Sequence, residues 1–140
     1  MKTIHPLELE AKIEANEAVE IVDVRPRFQF EKRHVPGAHS IPFNKFDPET
    51  LVHSRELPLP EPLYVISERG KHAQIAAENM DARGLDNLVV VEGGLRGWER
   101  NGLPVDRSQG VTNWMAEHHK KMVDMGAVTD LSVTAAPDWL

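Results

Sequence analysis

The chain contains no cysteine in its 140 residues. That absence removes disulfides, thiolate metal sites and thiol catalysis together. It leaves the redox compartment open, because a cysteine-free protein folds in either environment. Long hydrophobic runs are missing as well: no apolar stretch approaches the roughly 18 residues of a membrane-spanning helix. The N-terminus, Met1-Lys2-Thr3-Ile4-His5-Pro6, lacks the apolar core of a signal peptide. A soluble cytoplasmic protein with no membrane partner is the expectation. Concentrated positive charge is the third scarcity. The net charge is −6, and clusters such as Lys32-Arg33-His34 and His118-His119-Lys120-Lys121 are too short for the basic stripe that a phosphate backbone requires. They read as solvated faces, and no nucleic-acid partner is expected.

What is present is the usual mix of a globular protein, 41% hydrophobic and 27% charged, in a length that suits one domain and is short for two. A helix is predicted over 6–15, with Pro6 early and Leu7, Leu9, Ala11 and Ile13 among acids. The β-branched run 20–24 predicts a buried strand. A short helical turn over 27–33 carries Phe28 and Phe30, and Val35-Pro36-Gly37-Ala38 is a turn signal. Residues 40–43 can form only a short strand, because Pro42 removes a ladder donor. Pro48, Pro58, Pro60 and Pro62 mark 44–62 as a turn-rich connection with at most one helical turn.

The apolar run 63–66 is the next strand. A helix over 71–83 is predicted to face Ala73, Ile75, Ala76, Ala77 and Met80 inward and to end at Gly84. Leu88-Val89-Val90-Val91 is a fully apolar strand, and Gly93-Gly94 turns into a short helix containing Leu95 and Trp98. Apolar strands separated by helices imply an α/β fold, a mainly parallel sheet covered on both faces. One domain is expected over 1–107. In the extension 108–140, Val111, Trp114, Met115, His118, Met122 and Met125 recur at helical steps, followed by a tail to Leu140. That stripe either packs on its own domain or meets a second copy or another protein through 114–125.

The stretch Ser67-Glu68-Arg69-Gly70-Lys71-His72-Ala73 carries the chemistry. A strand that empties into a short polar loop and then a helix gathers backbone N–H groups at the helix start, where anions and developing negative charge are favoured. The first loop residue is where a nucleophile would be aimed, and here it is a serine. A lone hydroxyl does not ionise usefully without an adjacent base. Ser67, His72 and Glu68 have the residue types of a hydrolase, yet neighbours in one tight loop rarely point at each other, and no oxyanion partner can be assigned. Arg69 and Lys71 suit a small anion in the loop pocket, while Glu68 at the rim opposes one. His118-His119 lacks the spacing of a helical zinc pair, His34 and His39 stand alone, and neither a metal nor another cofactor is expected.

Three blocks together resemble the rhodanese-like (sulfurtransferase homology) domain family. Asp23-Val24-Arg25, Phe30-Glu31, His34-Val35-Pro36-Gly37-Ala38 and Ile41-Pro42 resemble its first signature. Gly93-Gly94-Leu95, Trp98 and Gly102-Leu103-Pro104-Val105 resemble its closing one, and the loop 67–73 lies between them. The resemblance covers about residues 5–106 and implies a rhodanese-like α/β domain. In active members the loop reads Cys, two residues, Gly, one residue, Arg, then a small residue. That cysteine takes a sulfane sulfur from a donor such as thiosulfate as a persulfide and passes it to a thiophilic acceptor. Aligned on Gly70, the cysteine position is Ser67, the arginine position is His72 and the small residue is Ala73. Serine offers no persulfide chemistry, and histidine replaces a permanent charge and a bidentate fork. The resemblance implies a structural role for Asp23 and Arg25, tying loops together near the sheet edge. The expected protein is therefore a rhodanese-like binding or regulatory module that has lost sulfurtransferase activity. The alternative is an enzyme with residual sulfur transfer, or ester chemistry, at the same pocket.

Overall fold

A computed structural model describes residues 2–57 and 61–107. The helix and tail expected beyond 107 lie outside the described residues. Five strands form one sheet in the order β1-β5-β4-β2-β3, and all four pairings are parallel. The strands are β1 (Lys2–Ile4), β2 (Glu20–Asp23), β3 (His39–Ser40), β4 (Leu63–Ile66) and β5 (Leu88–Val91). The helices are α1 (Pro6–Glu14), α2 (Arg27–Lys32), α3 (Pro48–Ser54), α4 (Lys71–Ala82) and α5 (Gly94–Arg100). Among the described residues no helix is long and apolar enough to cross a membrane.

The sheet is buried on both faces, which is why its central strands are nearly unbroken apolar runs. On one face Val22, Val65 and Val90 meet Leu51 of α3 and Ala73, Ala76, Ala77 and Met80 of α4. On the other, Ile21, Tyr64 and Val91 meet Leu9 of α1 and Leu95 and Trp98 of α5. Trp98 is fully buried, and its indole N–H donates to the Pro104 carbonyl at 2.7 Å, so one side chain joins α5 to the segment that follows it.

One strand goes beyond the expectations, and three local expectations are corrected. Lys2–Ile4 forms β1, an edge strand that the sequence pattern hid: only Ile4 is buried, and the strand exists through its parallel register with Val89, Val90 and Val91. The short strand expected over 40–43 is instead His39–Ser40, and Pro42 leads into a 3₁₀ turn at Phe43–Lys45. The connection 44–62 holds a full helix, α3. Asp47 caps it by accepting from the Thr50 amide at 2.8 Å, and Pro48 sits in its first turn, where no donor is lost. In α4, Ile75 faces outward at 38% exposure, because the buried stripe runs through 73, 76, 77 and 80.

A parallel sheet sends all its strand C-termini to one edge, the usual place for a site in an open α/β fold. Arg25, Phe43, Ser67 and Glu92 therefore emerge side by side after β2, β3, β4 and β5. Truncation at the packing centre should be costly. Trp98→Ala is expected to lower unfolding free energy by about 3 to 5 kcal/mol, read from denaturant midpoints at unchanged slope.

Candidate functional site

The loop between β4 and α4 is shaped by its own first side chain. Ser67 is 2% exposed, and its Oγ accepts the amide hydrogens of Gly70 at 3.0 Å and Ala73 at 3.1 Å. Gly70 caps α4 at φ +102°, a left-handed conformation that favours glycine. The loop's outward carbonyls are also held. The Leu95 amide donates to the Ser67 carbonyl at 2.8 Å, and the Arg96 amide donates to the Glu68 carbonyl at 3.0 Å. That docking depends on Gly94, where an added Cβ would run into the Ser67 carbonyl oxygen and lie 2.7 Å from the Glu68 carbonyl.

Glu68 does not stand at the rim as a bare repulsive charge. Its carboxylate accepts from Arg25 Nη1 at 3.3 Å, Arg33 Nη2 at 3.1 Å and Arg96 Nε at 3.0 Å. Arg25 is buried and chelates Asp23, itself fully buried, through Nε and Nη2 at 2.9 to 3.1 Å. The same guanidinium donates to the Arg33 carbonyl, and Arg33 Nε donates to Glu99 at 2.9 Å. Three carboxylates (Asp23, Glu68, Glu99) thus neutralise three guanidiniums (Arg25, Arg33, Arg96) across β2, α2, the loop and α5. Such a network is favourable because each buried charge is both paired and hydrogen-bonded. Partial burial pushes the Glu68 carboxyl up, but Arg33, Arg96 and Arg25 outweigh it and hold it below the usual range. The hydrogen bond to Glu99 holds the Arg33 guanidinium up.

The other candidate residues go separate ways. The His72 ring packs edge-on against Phe43, with centroids 5.4 Å apart, and is exposed with Arg69 and Lys71. Ser67, Glu68 and His72 are therefore not assembled as a triad: the hydroxyl faces inward amides, the carboxylate faces arginines, and the imidazole faces an aromatic ring. His34 is buried, stacks on Phe30 at 3.9 Å and bonds through Nδ1 to the Phe30 carbonyl at 2.7 Å. His39 Nε2 lies 3.5 Å from Glu56. Among the described residues no group of three His, Asp or Glu side chains is placed to hold a metal ion. The roles of Arg33, Arg96 and Glu99 carried no local signal, since their partners stand 28 to 66 positions away.

Comparison with known proteins adds a family. The model of the rhodanese-like domain matches residues 5–101. The putative sulfur carrier protein YrkF of Bacillus subtilis (strain 168) is 31% identical over 99 residues, covering 69% of this chain and 51% of that protein. The chain thus spans about half the length of that relative. The thiosulfate sulfurtransferase GlpE of Actinobacillus pleuropneumoniae serotype 3 is 30% identical over 94 residues, covering 65% of this chain and 81% of GlpE. A crystal structure of a rhodanese-like domain protein from Staphylococcus aureus is similar at a TM-score of 0.61 and 32% identity, covering 70% of this chain and 91% of that one.

The Glu68 clasp predicts a pH dependence with a definite sign. A carboxyl whose folded pKa is lowered contributes stability above its unfolded pKa and loses it as pH falls through the folded value. The stability gap between the natural chain and Glu68→Gln is expected to be largest near about pH 6 and to close towards about pH 3. A gap that stays constant over that range, in urea titrations at each pH, contradicts the clasp.

Proposed function

Because this chain belongs to the rhodanese-like domain family, we propose that it keeps the family's loop as a shaped cradle, has given up sulfur transfer, and serves as a binding or regulatory module. One observation carries the reading. At the position of the family's nucleophilic cysteine, Ser67 Oγ is buried and engaged by two amides, and among the described residues no carboxylate or imidazole accepts its proton.

The chemistry follows from the atom. Sulfur transfer needs a thiolate to attack the outer sulfur of thiosulfate, cleave its S–S bond, release sulfite and hold the sulfur as a persulfide. The acceptor then takes that sulfur and regenerates the thiolate. Among the described residues the Ser67 hydroxyl has no base to remove its proton, and a sulfur bonded to oxygen would not reproduce the sulfur-to-sulfur exchange. The two amides that would stabilise a thiolate are instead satisfied by a neutral oxygen, so the cradle stays closed without a charge in it. His72 at the arginine position turns to Phe43 and offers no bidentate fork to an anionic donor. A small anion suits the outer opening of α4, beside the Arg69 and Lys71 side chains, where the Lys71 and His72 amides are the helix-start donors that Ser67 does not take.

A thiosulfate-to-cyanide transfer assay tests the reading. The natural chain is expected to give no turnover above the uncatalysed rate, and clear turnover would overturn the proposal. Ser67→Cys is expected to gain activity, and adding His72→Arg to raise it by about tenfold, the worth of one charge-assisted hydrogen bond.

A further inference from the structure

The mouth of the loop carries an apolar and basic rim that the cradle itself does not need. Phe43, which opens the 3₁₀ turn after β3, and Ile75, one turn into α4, are each 38% exposed. His72 joins them: its ring lies against Phe43, and it precedes Ile75 by three residues on the same helix face. Around this strip stand Lys45, Arg69 and Lys71, all exposed, and among the described residues none of the three forms an ion pair. The two acids nearest in sequence differ. Glu68 is turned into its three arginines, whereas Asp47 caps α3 through the Thr50 amide and keeps its charge. A chain of net charge −6 thus places three cations, unpaired among the described residues, beside exposed apolar side chains at the edge where its strands end.

We propose that this rim docks an acidic segment of another protein, one whose carboxylates flank an aromatic or aliphatic side chain. The proposal rests on the reading of the domain as a binding module and names the partner's chemistry. A small inorganic anion would use the cations and leave Phe43 and Ile75 in water. A neutral apolar segment would leave three cations without partners. An acidic segment with an apolar anchor satisfies both, and its attraction to the rim is steered by charge and weakened by salt. The apolar contact supplies the part that salt does not remove.

Fluorescence anisotropy with the full chain decides the matter, using a labelled peptide of Asp and Glu residues around a central Phe-Leu pair. Two control peptides carry Asn and Gln for the acids, or Ala for the Phe-Leu pair. The acidic peptide is expected to bind more tightly than both controls and to weaken as salt rises. Phe43→Ser and Lys71→Glu are each expected to weaken it by about tenfold. Equal binding of either control, or indifference to both substitutions, overturns the proposal. A dimer in solution that Phe43→Ser converts to a monomer also overturns it, since the occupant is then a second copy. Thiosulfate turnover measured on the same preparation keeps the two claims apart. Turnover removes the silent-loop reading, whereas absent peptide binding without turnover removes only the docking surface.

Discussion

The structure of the site depends on one carboxylate. Glu68 is the second residue of a loop that has few side chains able to hold it in place, and three guanidiniums from three different segments converge on it. Through Arg25 the loop is tied to the fully buried Asp23 at the end of β2, and through Arg33 and Arg96 to the region after α2 and to α5. Each of these arginines sits where hydrophobic packing has already delivered it, so the network reports the fold as much as it supports the loop. The charges balance within the cluster, which lets Asp23 and Arg25 stay out of water without an unpaired member.

That arrangement separates shape from chemistry. The loop's carbonyls are received by amides at the start of α5, its glycine takes the left-handed turn into α4, and its carboxylate is clasped from outside. The side chain at the nucleophile position contributes two hydrogen bonds to this scheme. A serine accepts those bonds as well as a thiol would, so reactivity can be lost while the cradle persists. In a small parallel α/β domain this is the expected division, since the sheet edge is fixed by the core and the chemistry is added at one position.

Much of this was legible in the chain. The apolar runs that became β2, β4 and β5, the stripe of α4 and the glycine turn before α5 all follow from burial on both sheet faces, and the three sequence blocks pointed to the family that the comparisons show. What escaped was of two kinds. β1 is too short and too polar to announce itself and exists only by pairing with β5, while α3 was masked by prolines that bracket a helix rather than break one. The other kind was long-range charge. Glu68 looked like a repulsive rim residue because its arginines lie far off in sequence, and buried Glu20 gave no hint that it would bind Arg55 at 2.9 Å and the Glu56 amide at 2.7 Å. Local pattern reports which side chains go inside; it does not report which charges will meet there.

The most direct test of the proposed cradle, closed by the Ser67 hydroxyl, is residue-resolved amide hydrogen exchange on the natural chain and on Ser67→Ala. The account predicts that the Gly70 and Ala73 amides are protected in the natural chain and exchange faster after the substitution. The Leu95 and Arg96 amides, which hold the loop carbonyls, are predicted to stay protected in both. Fast exchange at Gly70 and Ala73 in the natural chain, or loss of protection at Leu95 and Arg96 on Ser67→Ala, would contradict it.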